Sequence, residues 1–207
     1  MSLGRTTLRA FSPLAKRILP NRAKRLLLLH ALGARDRYAA LRKAPSRLFL
    51  QDEIMPWVSR NCASVLFVGT GPYVYQFEKL FRSRHYMTID PDPAVAVWGA
   101  RRHVVGLVQD IGRYAAKSSF DCIIMNGVFG FGVNEPADMR GTIKALHEVL
   151  QPDGLLIVGW NTNLHDDPEG LEIYTPYFVP NDRPPFNGRR VFDLPETHVY
   201  GFYRRTA

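Results

Sequence analysis

The feature that most constrains this chain is an apolar run that ends in a Gly-x-Gly turn and is followed by a second run that ends in an acid. Residues 65–68 are apolar, Gly69 and Gly71 follow them, and Asp90 closes the second run 21 residues after Gly69. In a parallel α/β sheet, such glycines let the backbone approach a nucleoside, and the acid accepts hydrogen bonds from the ribose hydroxyls. The pattern therefore predicts a nucleoside-binding site.

The glycine loop distinguishes between classes of nucleoside ligand. A dinucleotide fingerprint needs a third glycine for tight packing of the helix that receives the pyrophosphate, and Val74 stands at that position. No Lys-Ser or Lys-Thr pair follows Gly71, as a P-loop requires. An adenosyl cofactor without a pyrophosphate needs only the tight turn and the ribose acid. The loop therefore favours S-adenosylmethionine over NAD or a nucleoside triphosphate.

Three later segments have the pattern of further strands in a doubly wound sheet. Residues 103–110 read as a short strand that ends in an acid, and residues 120–126 and 154–161 read as buried strands. Residues 136–150, between the last two, keep the apolar spacing of a helix, with a proline near the first turn and the breaker 151–154 after it. The order of these elements indicates an alternating α/β domain.

Over about residues 62–161 these segments together resemble the class I, Rossmann-like S-adenosylmethionine-dependent methyltransferases. Residues 150–156, Leu-Gln-Pro-Asp-Gly-Leu-Leu, are similar to the family's Leu-x-Pro-Gly-Gly element. The resemblance implies an α/β fold with a doubly wound, mostly parallel seven-stranded sheet, helices on both faces, and S-adenosylmethionine as the cofactor. It also implies a set of cofactor-binding residues, namely Gly69, Thr70, Gly71, Asp90, Asp110, Ile111 and Asn126.

Two residues depart from the family pattern at the methionine end of the expected cofactor pocket. Phe67 stands where the family often has an acid within the first strand, and Tyr73 stands where it has a third glycine. These residues either loosen the methionine end of the pocket or mark a subgroup that holds it with backbone groups and an aromatic wall. One alternative function is therefore a non-catalytic binding or scaffold protein with the same fold.

The positive charge of the chain is concentrated near its N-terminal end. Residues 1–60 contain 13 of the 27 Lys and Arg residues and 3 of the 19 Asp and Glu residues. Residues 14–20 and 22–30 have the spacing of short cationic amphipathic helices divided by Pro20. Such helices suit an anionic membrane surface or a phosphate-bearing partner such as RNA. They equally suit a solvated cover over one edge of the sheet, or an Arg-rich organellar targeting segment.

Length and composition predict one domain behind a basic helical extension. The 207 residues, 46% of them hydrophobic, are enough to bury one core, and we divide the chain into an extension at 1–45 and a domain at 46–207. The two cysteines, Cys62 and Cys122, lie 60 residues apart, and Cys122 falls inside a predicted buried strand. We therefore expect no disulfide framework and favour a reducing compartment. No apolar run reaches the roughly 20 residues that span a bilayer. We expect a cytoplasmic protein, peripheral to the membrane if residues 1–30 bind anionic lipid.

Two segments are candidates for the acceptor pocket. The glycine-rich loop 126–134 follows the fourth predicted strand, where Phe129 and Phe131 can line a cleft. It lacks the prolines of the Asn-Pro-Pro-Tyr element, which disfavours a nucleobase amine as acceptor. Residues 168–195 hold six of the 15 prolines and predict a stiff aromatic lid, with Tyr174 and Arg189 facing the acceptor. The final segments of the chain have the alternation of an antiparallel hairpin.

His165 and His198 are the candidate catalytic bases. His165 is preferred because it follows the fifth predicted strand, at the edge of the sheet where the site is expected, whereas His198 lies near the C-terminus. The adjacent Asp166 and Asp167 do not predict a metal, since neighbouring residues cannot easily converge on one ion. The sequence thus predicts methyl transfer from S-adenosylmethionine to a small-molecule, lipid-linked or glycan-linked acceptor, with O-methylation favoured. RNA methylation, with the basic extension holding phosphates, is the alternative activity.

Overall fold

The computed structural model of the protein describes residues 21–31 and 43–206. The helix predicted at residues 14–20 lies outside these residues, as does most of the extension, and the division at residue 45 stays a prediction. The cationic helix predicted at residues 22–30 is present as α1 (Asn21–Ala31). Leu28 of α1 is buried, so this helix packs on the domain.

The domain contains one eight-stranded sheet. Its strands are β1 (Ser64–Val68), β2 (His85–Asp90), β3 (Arg102–Val105), β4 (Phe120–Asn126), β5 (Leu150–Asn161), β6 (Phe178–Pro180), β7 (Arg189–Val191) and β8 (His198–Arg205). The strand order is β3-β2-β1-β4-β5-β8-β6, and β7 also pairs with β8. Strands β1 to β5 pair in parallel and β8 runs antiparallel to β5. The predicted doubly wound, mostly parallel sheet is confirmed.

Helical segments cover both faces of the sheet. The helices that follow α1 are α2 (Pro45–Leu48), α3 (Met55–Asn61) and α4 (Pro136–Val149), with a π-helical segment at Phe49–Ile54. Short 3-10 helices occur at Tyr75–Phe81, Ala96–Trp98, Val108–Arg113 and Pro168–Leu171. Helix α4 begins at the proline that the sequence predicts for its first turn, because the fixed φ angle of proline suits that position.

The central strands are buried on both faces because alternate residues pack into two separate hydrophobic clusters. In β1, Leu66 and Val68 pack into the cluster that includes the apolar face of α4. Val65 and Phe67 point the other way, into the cluster formed with α3 and the π-helical segment. This two-sided burial explains why β1, β4 and β5 read as nearly continuous apolar runs rather than as alternating ones.

Pro56 lies within the helical stretch that precedes β1, and the helix continues through it. The π-helical segment Phe49–Ile54 immediately precedes it, and α3 carries the proline in its first turn. A proline ring removes one backbone donor and clashes with the carbonyl four residues earlier, and a wider π turn accommodates both effects. Met55, which begins α3, is fully buried.

The edge of the sheet has one more strand than predicted. Strands β6 and β7 lie along the same side of β8, β6 against residues 203–205 and β7 against residues 199–201. Residues 181–188 leave the edge between them. Asn181 fixes this departure, since its backbone N–H donates to the Phe202 carbonyl (2.8 Å) and its Oδ1 accepts from Arg204 Nε (2.8 Å). The edge is therefore one broken strand, and the predicted hairpin is its β7–β8 part.

The proline-rich segment 168–195 packs against β8 rather than standing free as a lid. The Tyr174 ring stacks on Tyr203 with their centroids 4.1 Å apart, and Phe186 stacks on Phe202 at 5.1 Å. These two pairs lie in the two different hydrophobic clusters, so the segment contributes aromatic side chains to both faces of the sheet. The aromatic content that suggested a lid instead completes the core.

Two observations concern the cysteines and membrane insertion. Cys62 and Cys122 are both buried and carry free thiols, and burial raises the pKa of Cys122. Within residues 21–31 and 43–206, no helix is long and apolar enough to cross a membrane.

We predict that Phe67→Ala lowers the free energy of unfolding by roughly 3 to 5 kcal/mol, because a fully buried ring is replaced by a cavity. The measurement is urea denaturation followed by circular dichroism. Leu80→Ala is the control, since Leu80 is largely exposed and its loss should change stability by no more than about 0.5 kcal/mol. Equal losses in the two variants would contradict the placement of Phe67 in the core.

Candidate functional site

A cavity of about 600 Å³ lies at the carboxyl ends of β1, β2 and β4. Its walls come from the glycine loop after β1, the turn after β2, residues 106–109, the loop after β4, the start of α2 and the start of β8. This size is within the range of small-molecule sites, and the edge of the sheet is where open α/β folds bind their ligands. The cavity is therefore the candidate functional site.

The glycine loop passes close to the end of β4. Gly69 has a φ angle of +86°, in the left-handed region that side chains disfavour. Its N–H donates to the Ile89 carbonyl (2.9 Å), and an added Cβ would lie 3.4 Å from the Asn126 carbonyl oxygen. The glycine thus allows β1 to turn sharply while leaving the cavity open beneath the loop.

Asp90 is held at the rim of the cavity by two backbone donors. One carboxylate oxygen accepts from the Thr70 N–H (2.7 Å) and the other from the Asp92 N–H (2.9 Å). These two bonds fix the orientation of the carboxylate, and each oxygen keeps a lone pair for a further donor. The arrangement suits a ligand that presents two adjacent hydroxyl groups.

Three polar atoms in the cavity wall are buried without a partner among the described residues. They are the Thr70 hydroxyl oxygen, Gln109 Oε1 and Arg47 Nη1. A buried polar atom without a hydrogen bond costs roughly 1 to 3 kcal/mol, and more when it is charged. A ligand that supplies both donors and acceptors would remove this cost, so the wall fits a polar ligand.

Arg47 brings a positive charge from α2 to the glycine loop. Its guanidinium carbon lies 4.1 Å from the centroid of the Tyr73 ring, which is the geometry of a cation–π contact. Tyr73 is the residue that departs from the family's third glycine. The aromatic residue at that position therefore holds an arginine beside the turn, where a glycine could not.

His198 bonds with the side chains of two asparagines at the floor of the cavity. Its Nε2 lies 2.9 Å from Asn126 Oδ1, and its Nδ1 lies 2.6 Å from Asn161 Oδ1. Burial and then the nearby Arg47 charge lower the pKa of His198 to about 3, so the ring is neutral at physiological pH. A neutral imidazole has a single N–H, so one of the two asparagines must present its NH₂ group to the ring instead of its oxygen.

Gly159 of β5 makes room for this network. It lies between Asn126 on β4 and Tyr200 on β8 in the strand register. An added Cβ would collide with Asn126 Oδ1 and would lie 2.7 Å from His198 Nε2. The glycine is required here because two side chains from flanking strands meet over it.

The structure brings four of the seven predicted cofactor residues to the cavity. Gly69, Thr70, Asp90 and Asn126 line it. Gly71 lies beneath the Tyr73 ring, where an added Cβ would be 3.1 Å from ring carbons. Asp110 and Ile111 do not line it, because the 3-10 helix Val108–Arg113 buries Ile111 in the core and leaves Asp110 3.4 Å from Arg113. Gln109 takes the place in the wall that Asp110 was expected to occupy.

The predicted acceptor pocket is corrected at three of its four residues. Phe131 lines the cavity, and 63% of the residue is exposed. Phe129 is fully buried in the core, and Tyr174 is buried against Tyr203. Arg189 stacks on the Trp160 ring and pairs with Asp167 at 2.5 Å, away from the cavity.

His165 also lies outside the cavity wall. Its Nδ1 is 2.7 Å from the Asp166 carbonyl oxygen and its Nε2 is 3.2 Å from the Asn134 carbonyl oxygen. Both ring nitrogens thus face backbone acceptors rather than the cavity, which disfavours His165 as the catalytic base.

Of the residues that form the polar floor, sequence reasoning missed Arg47 and Asn161 and considered His198 only as the second candidate base. A usable signal exists for His198. The predicted final hairpin makes the last strand antiparallel, so its amino end meets the carboxyl ends of the parallel strands, where the site lies. Arg47 left no comparable signal, since its position depends on how the helix before β1 packs. Within residues 21–31 and 43–206, no group of three or more His, Cys, Asp or Glu side chains is placed to hold a metal ion.

A family model matches the part of the chain that forms most of this cavity. Residues 66–158 match the family model described as a methyltransferase domain, a range that runs from β1 to β5 and includes the glycine loop, Asp90 and Asn126. No curated protein matches the chain. The family match therefore covers most of the cavity wall, whereas α2 and β8 lie outside it.

Solved structures of methyltransferases share the fold at low sequence identity. The N-methyltransferase NodS from Bradyrhizobium japonicum is 16% identical with a TM-score of 0.59, over 80% of this chain and 99% of that one. A TehB-like SAM-dependent methyltransferase from Corynebacterium glutamicum is 16% identical with a TM-score of 0.61, over 86% and 98%. The Burkholderia thailandensis 1,6-didemethyltoxoflavin-N1-methyltransferase, solved with its acceptor and S-adenosylhomocysteine, is 16% identical with a TM-score of 0.52, over 86% and 89%. At these identities the likeness shows a shared fold.

We predict that His198 makes the folded protein less stable as the pH falls below about 6.5. The unfolded chain takes up a proton on this histidine near pH 6.5, whereas the folded chain does so only near pH 3. Stability is therefore present above the unfolded pKa and is lost as the pH falls towards the folded pKa. Between pH 7 and pH 5 the wild type should lose about 2 kcal/mol more than His198→Gln.

The measurement is urea unfolding of both proteins at the two pH values. Gln keeps polar groups near the two asparagines but does not titrate, and the other histidines and carboxylates contribute equally to both proteins. Parallel stability curves for the two proteins would show that His198 titrates normally in the folded state.

Proposed function

We propose that this chain, which matches a methyltransferase domain over residues 66–158, transfers a methyl group from S-adenosylmethionine to a carboxylate oxygen of a small-molecule or lipid-linked acceptor. The family domain makes the protein a methyltransferase that uses S-adenosylmethionine, which favours an enzyme over the non-catalytic alternative. The acceptor class is our proposal, and the neutral His198 between two asparagines is the observation that carries it.

The cavity wall fits S-adenosylmethionine residue by residue. Asp90, held by two backbone donors, suits the two ribose hydroxyls. The unpartnered Thr70 hydroxyl and Gln109 Oε1 suit donors and acceptors elsewhere on the cofactor. Arg47 lies beside the glycine loop at the methionine end, and its unpartnered Nη1 suits the methionine carboxylate. In this proposal, Arg47 stacked on Tyr73 takes over binding at the end where Phe67 replaces the usual acid.

When bound, the cofactor supplies an electrophilic methyl group on a sulfonium sulfur. The residues of this chain then have to hold the acceptor oxygen close to that methyl group and in line with it, which can account for much of the rate. The side chains of Asn126, Asn161 and His198 form a fixed polar floor at the strand ends. Because each is hydrogen-bonded to its neighbour, their groups are oriented before the acceptor arrives.

The low pKa of His198 favours a nucleophile that needs no base. A general base works best when its pKa is near the operating pH, and a ring with a pKa of about 3 is too weak to take a proton from a hydroxyl group. A carboxylate, by contrast, is already ionised at neutral pH. A hydroxyl acceptor with His165 as its base has no support in the geometry, since His165 faces backbone carbonyls outside the cavity.

We predict that two substitutions distinguish the residue that binds the ribose of the cofactor from the residue that binds its methionine carboxylate. Asp90→Ala should weaken binding of both S-adenosylhomocysteine and methylthioadenosine by roughly 2 to 3 kcal/mol, because both ligands carry the ribose. Arg47→Met should weaken S-adenosylhomocysteine by about tenfold or more and leave methylthioadenosine unchanged, because only the former has a carboxylate. Isothermal titration calorimetry measures all four affinities.

Arg140→Met is the matched control for the arginine substitution, because Arg140 is exposed on α4 and does not line the cavity. It should bind both ligands as the wild type does. If Arg47→Met weakens the two ligands equally, Arg47 supports the cavity rather than the methionine carboxylate.

We predict that the product is a methyl ester. Alkaline hydrolysis of a methyl ester releases methanol. The protein is incubated with S-adenosylmethionine carrying a tritiated methyl group and with the small-molecule or lipid fraction of cells. Mild alkali should then release volatile label, whereas methyl ethers and N-methyl groups keep it. The rate should not rise as the pH increases from 6 to 9, because no base has to lose a proton in that range.

Asp90→Ala is the control for label that enters without the enzyme. Alkali-stable label in an ether or amine product would refute the carboxylate assignment while leaving methyl transfer intact. Label on nitrogen in particular would make the reaction an N-methylation, as in the names of two of the similar structures. Alkali-stable label in an RNA fraction would instead support the alternative activity.

A further inference from the structure

A second concave surface lies at the opposite end of the sheet from the cavity. A groove of about 800 Å³ runs past the amino ends of β2 and β3, near His85 and Arg102. Five exposed cations line it, and we call them together the arginine groove: Lys79, Arg82, Arg84, Arg101 and Arg102. Residues 61–207 contain 14 Lys and Arg residues and 16 Asp and Glu residues. The cations in the groove are therefore a local concentration of positive charge.

Carboxylates of the described residues leave the five cations of the groove unpaired. Among the residues that the structure describes, none of these five cations forms an ion pair with a carboxylate. Glu78, the acid in the lining, lies 3.9 Å from Arg25 and accepts from the Arg101 backbone N–H. Arg102 contacts His85 Nε2, and together with burial its charge lowers the pKa of His85. Neighbouring cations repel each other, and a bound anion would relieve this repulsion.

Helix α1 continues this surface and adds apolar side chains to it. Arg25 fixes α1 to the domain, since its guanidinium donates to the Val97 and Gly99 carbonyls (2.6 and 2.5 Å) and lines the groove. Leu28 is buried beneath the helix, whereas Leu26 is 70% exposed and Leu27 is 42% exposed. A helix with leucines on its outer face beside a row of cations has the character of an interfacial membrane helix.

We propose that the arginine groove and α1 dock the protein on an anionic lipid surface, with the cations against lipid phosphates and the two leucines in the interface. A nucleic-acid strand is the weaker candidate because the aromatic side chains in the lining, Phe81 and Tyr86, are buried and cannot stack on bases. The proposal places the contact on the folded domain as well as on the basic extension. It does not depend on which acceptor the protein methylates.

The test is cosedimentation of the full chain with vesicles of phosphatidylcholine alone or of equimolar phosphatidylcholine and phosphatidylglycerol. The double variant Arg82→Glu/Arg101→Glu is informative because neither side chain has a recorded hydrogen bond or ion pair among the described residues. The matched control is Arg140→Glu/Lys144→Glu, which makes the same charge change on an exposed face of α4. Calorimetry with S-adenosylhomocysteine confirms that each variant is folded.

We expect the wild type and the α4 variant to bind the anionic vesicles, and the groove variant to bind roughly tenfold or more weakly. Raising the salt concentration should release the wild type, and Leu26→Ser/Leu27→Ser should weaken binding without changing the net charge. Unchanged vesicle binding by the groove variant would overturn the proposal, because the contact would then belong to the extension alone. Binding of single-stranded RNA that only the groove variant loses, with no vesicle binding by the wild type, would overturn it as well.

Discussion

The functional edge of this protein depends on one buried histidine that joins three strands. His198 begins the antiparallel strand β8 and reaches over Gly159 of β5 to Asn126 of β4, while its other nitrogen meets Asn161. Because the ring is neutral, these bonds avoid the cost of burying a charge, and they hold the strand ends in one register. A fold whose parallel strands end in loops thereby gains a rigid polar floor.

The cavity has two parts, one that suits the cofactor and one, formed by this network, that suits the acceptor. Gly69, Thr70 and Asp90 are positioned mainly by backbone geometry and backbone hydrogen bonds, so they suit a ligand that is constant across the family. Asn161 and His198 themselves lie outside the residues that the family model covers, and they are positioned by side-chain bonds to each other and to Asn126. Acceptor selection in this proposal therefore resides in the end of β5 and the start of β8, whereas Arg47 of α2 belongs with the cofactor half.

The parts of the fold that follow local rules could be predicted from the sequence. The apolar runs of β1, β4 and β5, the proline that begins α4 and the acid that ends β2 each reflect chemistry within a few residues. The errors occur where distant packing decides. Aromatic residues at 174–186 suggested a lid, but a ring cannot signal by itself whether it will cover a ligand or stack on β8. Asp110 was expected to bind the cofactor and does not line the cavity, for a related reason. A 3-10 helix at Val108–Arg113 places Gln109 in the cavity wall instead.

The length of the strands sets the distance between the arginine groove and the cavity. The arginine groove lies at the amino ends of β2 and β3, and the cavity lies at the carboxyl ends, with strands such as the five-residue β1 between those two edges. At about 3.3 Å per residue, a strand of that length separates the two edges by roughly 17 Å. A protein docked through the groove would therefore open its cavity away from the bilayer. Any lipid-linked acceptor would then have to carry its methylated group on a polar portion long enough to reach around the domain, which favours an extended headgroup over a group at the membrane surface.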